Sequence, residues 1–293
     1  MAEPLARWLR LREPADHAAR SDALTRLLEK ALQPSAIVHA LDLATGTGSN
    51  VRYLADRLPV RQCWLAVDRD RALLDELPSR SAVWAEGREC DVRREATGCS
   101  IRRGRVESLV ETRQVDLGEP SHLQMFEGRH LVTASALLDL VSAEWLQALA
   151  TACRAAGACA LFALTYDGRS SCSPPEPEDD LVRELLNRHQ VTDKGLGGPA
   201  AGPEATIIAG RCFREEGYLV RHEPSDWMLG FEHRDLQREL IEGWARAASE
   251  MAPHLGPVIA GWGARRLEHV VAGRSRITVG HQDLAAFLAP PRT

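Results

Sequence analysis

Apolar positions come in two alternating textures along this chain, short unbroken runs and leucines spaced three or four apart. The spacing in "RSDALTRLLEKAL", Arg20 to Leu32, predicts a helix that stops before Pro34, and the run "SAIVHALDL" predicts a buried strand. The turn "ATGTGSN" separates that strand from a helical "VRYLADRL"; "QCWLAVDRD" follows as a second apolar strand, then a helical "RALLDEL" before Pro78. Strand, glycine turn, helix, strand is a βαβ unit, and its crossover implies parallel neighbours covered on both faces.

From 81 to 114 the chain is rich in arginine and glutamate. Apolar alternation in "SAVWAEG" and "GRVESLVETRQVDL" predicts an extended ribbon feeding a third strand. "RHLVTASALLDL" predicts a fourth strand and loop, "SAEWLQALATACRAA" a helix stopped by Gly157, and "GACALFALTYDG" a fifth strand. Serine and proline make "RSSCSPPEPEDD" a loop, followed by the helix "DLVRELLNRHQ" and the glycine-rich "DKGLGGPAAGPEA". A helix at "TIIAGRCFREEG", a strand at "YLVRHEPSDWML", the long helix "HRDLQRELIEGWARAASEMAP" and a last strand "RSRITVGHQDLAAFL" complete the pattern. The sustained alternation predicts an α/β fold: a doubly wound, mostly parallel seven-stranded sheet with helices on both faces, an N-terminal helical lid and a C-terminal helical insertion.

Composition narrows the function classes. With 293 residues, 44% of them apolar, the chain can bury a full core, and its net charge of −5 argues against a sequence-independent grip on nucleic acid. Seven cysteines, an odd number with no C-x-x-C pair, suggest neither a zinc site nor a disulfide framework. No apolar run approaches a membrane span, and the charged start "MAEPLARWLRLREPADHAAR" is unlike a secretory signal; the expectation is a soluble cytoplasmic protein with reduced thiols.

A glycine turn between a first strand and first helix lets a ligand approach the backbone and meet the helix N-terminus. The dinucleotide fingerprint G-x-G-x-x-G fits Gly46 and Gly48 but falls on Val51 at its third glycine, which leaves a nicotinamide-dependent oxidoreductase as the alternative reading. "DLATGTG" resembles instead the turn of the class I S-adenosylmethionine-dependent methyltransferases, in which an acid ends the first strand ahead of a small-x-Gly-x-Gly turn. The resemblance spans roughly 37–168 and supplies Asp42, Ala44, Thr45, Gly46 and Gly48, with alanine at 44 where the family usually has glycine. It implies S-adenosyl-L-methionine as cofactor. Asp68, beside Arg69 in "LAVDRD", would take the ribose hydroxyls; Asp116, with Leu117 after it, would lie near the adenine; Ser135 lies in the loop that passes the sulfonium and the acceptor.

A methyl group on a sulfonium is already activated, so no catalytic triad need be visible. Ligands of open α/β sheets bind beyond the carboxyl ends of the strands, which makes Tyr166 and Asp167 of "LTYDGR" acceptor-side candidates, with His189 of "NRHQVTDKG" a candidate base and His281 of "VGHQDL" a lesser one. "SPPEP" lacks the aromatic residue of the loop used by adenine methyltransferases, and the arginines of "IRRGRVESLVETRQ" alternate with glutamates; a small-molecule acceptor is expected, its identity and the oligomeric state left open. Trp8, Arg12, Asp16 and Arg20 lie on the segment expected to fold over the cleft, so that 1–36 form a cap and 37–293 the methyltransferase domain, with a cofactor half to about 168 and substrate-side loops beyond. A non-catalytic binding subunit on the same fold is the remaining alternative.

Overall fold

A computed structural model describes residues 2–58, 60–118 and 124–288. Two helices come first, α1 (Ala2–Ala19) and α2 (Asp22–Leu32), the second started by Ser21, whose side chain accepts from the Leu24 N–H. The expected βαβ unit follows as β1 (Ile37–Leu43), α3 (Ser49–Ala55) and β2 (Arg61–Asp68). The strands pair in parallel from Ile37↔Arg61 to Leu43↔Val67. Alternate residues face opposite ways, as a strand demands. Leu41, Leu43, Leu65 and Val67 enter one core layer; Val38, Ala40, Trp64 and Ala66 enter the other, beneath α2 and α3.

The helix α4 (Arg71–Ala85) runs through Pro78, so "SAVWAEG" is not extended. Its buried residues Leu74, Leu77, Ser81 and Ala85 recur at helical spacing, and that periodicity prevails over the proline. The ribbon is instead β3 (Asp91–Glu95) and β4 (Gly98–Arg103), antiparallel to each other and leading to β5 (Val106–Gln114), which pairs in parallel with β2.

After β6 (Leu131–Ser135) come α5 (Ala143–Ala156), capped by Ser142, and β7 (Cys159–Ser173). β7 absorbs the "RSSCS" expected as loop. Its outer half pairs with the start of the last strand, β10 (Arg276–Leu288), which supplies a hydrogen-bonding partner that composition alone does not reveal. The remaining elements are α6 (Asp179–Gln190), α7 (Ala205–Glu215), β8 (Tyr218–Pro224), β9 (Trp227–Leu229), α8 (Arg234–Met251) and α9 (Gly256–Val271). "YLVRHEPSDWML" thus holds two strands, and α9 has no counterpart in the sequence reading.

The sheet corrects the expected seven strands, mostly parallel, to a ten-stranded mixed sheet: β3-β4-β5-β2-β1-β6-β7-β10-β8, with β9 also on β10. The hairpin β3–β4 and the short β9 are the additions. Both attach by antiparallel pairing; the β3–β4 hairpin needs only a tight turn, whereas β9 meets β10 across the intervening α8 and α9. A third core lies outside the doubly wound part, where α6, α8 and α9 pack on β9 and the outer half of β7, with Ala15 of α1 joining them. Among the described residues no helix is long and apolar enough to cross a membrane.

Candidate functional site

Parallel strands end on one edge, so β1, β2, β5 and β6 deliver their carboxyl ends to a common rim, which β7 crosses after Ala163 and overruns to Ser173, so that Tyr166 and Asp167 lie within β7 and not at its end. Beyond β1 the chain turns through Ala44 (φ 50°), Gly46 (φ 55°) and Gly48 (φ 82°). The Thr45 N–H donates to Val67 O (2.9 Å), and the Gly46 N–H donates to Asp68 Oδ2 (2.8 Å), so the turn is fastened to the end of β2. Gly48 caps α3; a Cβ there would stand 2.7 Å from Leu77 of α4, so close helix packing alone requires glycine at this position.

Asp42 is fully buried. It accepts from Thr45 Oγ1 (2.5 Å) and Asn50 Nδ2 (2.7 Å), and burial still raises its pKa to about 6 against those two bonds. Asp68 accepts from the backbone N–H groups of Gly46 and Asp70, with its own pKa raised by burial. The Val115 N–H donates to Asp68 O (2.9 Å), which brings the end of β5 alongside. Asp116, next on that path, is exposed and accepts from the Gly118 N–H; Leu117 is buried and its carbonyl takes the Trp145 indole N–H. Arg69 is exposed, and its carbonyl accepts from Gln114. Ser135 ends β6, followed by Ala136 at φ 54° and, in the adjoining strand β7, Leu164 at φ 55°. Non-glycine residues with positive φ thus follow β1 and β6 and interrupt β7, and strain of this kind, about 1–3 kcal/mol each, gathers at functional rims.

Tyr166 is buried, its hydroxyl donating to Asn187 Oδ1 (2.8 Å), and burial raises its pKa. Asp167 accepts from Arg169 and Gln282. His189 has Glu250 of α8 (3.2 Å) and Lys194 as its partners. The structure therefore gathers Asp42, Ala44, Thr45, Gly46, Gly48, Asp68, Asp116 and Ser135 along one edge, with Tyr166 and Asp167 where β7 leaves it and His189 at the end of α6 beside Lys194.

The N-terminal helix lies directly on this rim. Leu9 Cδ1 is 3.0 Å from where a Cβ on Gly46 would be, Glu13 takes a fork of two hydrogen bonds from Arg52 (2.9 and 2.8 Å), and His17 Nε2 meets Ser49. Burial drives the His17 pKa down to about 4. Arg12 pairs with Asp16 through Nε (2.8 Å) and lies 5.0 Å from the Trp227 ring; Trp227 Nε1 donates to Asp16. Arg20 donates to Asn50 Oδ1 (2.7 Å) and faces Asp283 at 3.6 Å. Asn50, Asp139, Asp283 and Trp227 are the participants that sequence reasoning missed. Asn50 ends the quoted turn, Asp139 ends the apolar run "SALLD" and Asp283 ends the polar "GHQD", but only their burial marks them.

Several buried polar atoms without a hydrogen-bond partner lie along this edge: Arg20 Nε and Nη2, Asp139 Oδ1, Thr165 Oγ1 and His281 Nδ1. Buried unpaired donors and acceptors cost about 1–3 kcal/mol each, so a ligand carrying charged and polar groups of both kinds would relieve them. The donor set fits a zwitterionic nucleoside of the S-adenosylmethionine type: guanidinium N–H groups for an anionic end, rim carboxylates for a cation and for hydroxyls.

No family model and no curated protein matches the chain. Among solved structures, the cyclopropane synthase MmaA2 from Mycobacterium tuberculosis superposes with a TM-score of 0.43 at 10% identity, over 95% of this chain and 93% of that one. A methyltransferase from Geobacter sulfurreducens in complex with S-adenosyl-L-homocysteine gives 0.43 at 13% identity, over 92% of each chain. One from Thiobacillus denitrificans, also with S-adenosyl-L-homocysteine, gives 0.42 at 15% identity, over 93% and 94%. The strand order speaks more directly. Seven consecutive strands of the sheet, β5-β2-β1-β6-β7-β10-β8, differ from the six-stranded parallel order of the dinucleotide fold by the reversed strand β10 between β7 and β8. This is a doubly wound α/β sheet with one reversed strand near its edge.

Proposed function

We propose that the protein is an S-adenosylmethionine-dependent methyltransferase acting on an oxygen, nitrogen or carbon of a small-molecule acceptor. The observation that carries the reading is the fastening of the Gly46–Gly48 turn to Asp68 at the rim of this sheet order. In this reading Asp68 holds the ribose hydroxyls, the segment of Asp116 and Leu117 borders the adenine, and Asp42 acts through Thr45 and Asn50 to shape the turn. Residues 1–36 cap the site, and Tyr166 and Asp167 border the acceptor. The bound cofactor supplies a methyl group already activated by its sulfonium. The chain's task is then to align the acceptor and exclude water, which α1 does by covering the turn.

A small acceptor is favoured over nucleic acid because several exposed arginines on and beside the β3–β5 ribbon are paired with acids: Arg61 of β2 and Arg102 with Glu107, Arg103 with Asp56, Arg113 with Glu111. The test is calorimetric titration with S-adenosylhomocysteine. Asp68→Ala should weaken binding by ~1.5–3 kcal/mol, the range for hydrogen bonds to a charged group, which is about tenfold to more than a hundredfold. Asp70 caps α4, accepting from the Ala72 N–H, so Asp70→Ala should cost ~1 kcal/mol of stability and leave affinity unchanged. Equal affinities in all three proteins would remove Asp68 from the site. NADH binding in place of S-adenosylhomocysteine would favour the oxidoreductase reading; binding of neither would favour the non-catalytic one.

A further inference from the structure

Two of the unpartnered buried groups flank Tyr166. Asp139 lies on the single 3-10 turn Leu138–Leu140 just after β6, 6% exposed, with Oδ1 unpartnered. His281 pairs with Tyr166 across β10 and β7, their rings 6.3 Å apart, and its Nδ1 is likewise unpartnered. The Trp227 ring stands 5.0 Å from that imidazole. The result is an aromatic-walled corner with a carboxylate on one side, at the β6–β7 end of the rim and beneath α1, whose Arg12 faces Asp139 and whose Leu9 covers the Gly46 turn.

We propose that Asp139 is the proton acceptor of the reaction, and hence that the methyl acceptor is an amine or hydroxyl that still carries its proton. The inference rests on the methyltransferase reading. As the acceptor's N–H or O–H bond breaks, the proton passes to Asp139 Oδ1. The electron pair remains on the acceptor atom, which bonds to the methyl carbon, and the carbon–sulfur bond breaks with its pair going to sulfur. Basicity decides between the two flanking groups. Burial takes the Asp139 pKa up to about 6 and the His281 pKa down to about 3, so at neutral pH the carboxylate is by far the stronger base. The groups facing Asp139 are Arg12 from α1, Lys194 from the segment after α6, and Tyr166 of β7, whose backbone N–H is directed at the carboxylate. The two cations oppose the rise and do not abolish it.

Sinefungin tests this without a known acceptor, because it carries an ammonium where the transferable methyl would be. The full chain is titrated with sinefungin and with S-adenosylhomocysteine at pH 5 and pH 8. The wild type should prefer sinefungin at least tenfold at pH 8 and lose most of that preference at pH 5, where Asp139 is protonated. Asp139→Asn should bind S-adenosylhomocysteine as the wild type does and sinefungin no better. A sinefungin preference that survives Asp139→Asn, or that is absent from the wild type while S-adenosylhomocysteine binds, overturns the assignment. Failure of both ligands to bind overturns the methyltransferase reading and this inference with it. Because Asp42 titrates over the same range, the variant is compared with the wild type at both pH values, and Asp139→Ser takes its place should Asp139→Asn not fold.

Discussion

Asp42 illustrates how a single buried carboxylate couples the site to stability. Its folded pKa of about 6 lies above the ordinary 3.8, so the folded state holds the proton more tightly than the unfolded chain. The stability it contributes is complete below the ordinary value and is lost as pH rises through about 6. His17 acts oppositely: with its pKa lowered to about 4, it costs stability as pH falls below the ordinary 6.5. The two windows overlap, so the wild-type profile alone separates nothing. Asp42→Asn should therefore gain on the wild type by on the order of 2 kcal/mol between pH 4 and pH 8, read as the difference of two urea unfolding series. A difference that does not change with pH would mean that Asp42 titrates normally.

At the scale of elements, α1 is held by charge as much as by apolar contact. Glu13 is 8% exposed and Arg52 fully buried, with Arg80 3.5 Å from the same carboxylate. Removing one partner of such a pair leaves the other desolvated and uncompensated, at a cost of about 3–5 kcal/mol, whereas apolar replacement of both is often neutral. Glu13→Ala should destabilise the protein by that amount, and the double variant Glu13→Met with Arg52→Met should recover most of it. A loss below ~1 kcal/mol for Glu13→Ala would show that Arg80 or solvent compensates and that α1 is not anchored there.

For the whole molecule, the segments that cover the rim come from distant parts of the chain. The 3-10 turn at Leu138–Leu140 is held by the connection after α6, through Ser142 N–H to Leu196 O (3.1 Å) and Ala201 N–H to Val141 O (2.7 Å). Ligand bound beneath α1 should slow amide exchange both in α1 and across 170–205, because long polar loops at strand ends are the parts of such folds that open most readily. Hydrogen exchange with and without S-adenosylhomocysteine reads this directly. Protection confined to the Gly46 turn would separate the cofactor site from its cover.

The order of strands and helices along most of the chain, the glycine turn and the placement of Asp42 and Asp68 at one edge were legible from the residues alone. Periodicity is local, and parallel strands joined by crossovers must all end on the same side. The sequence could not tell that "RSSCS" extends β7, that "SAVWAEG" finishes α4, or that three further strands join the sheet. An edge strand exists only where a partner is supplied, and β10 lies a hundred residues beyond the segment it extends. Nor could it separate Arg12, Asp16, Arg20, Asp139 and Asp283 from other charged residues. A buried charge and a surface charge are the same letter; desolvation, which raises the Asp42 and Asp139 pKa values and lowers those of His17 and His281, is conferred by the packing of remote segments and was decided by the tertiary structure alone.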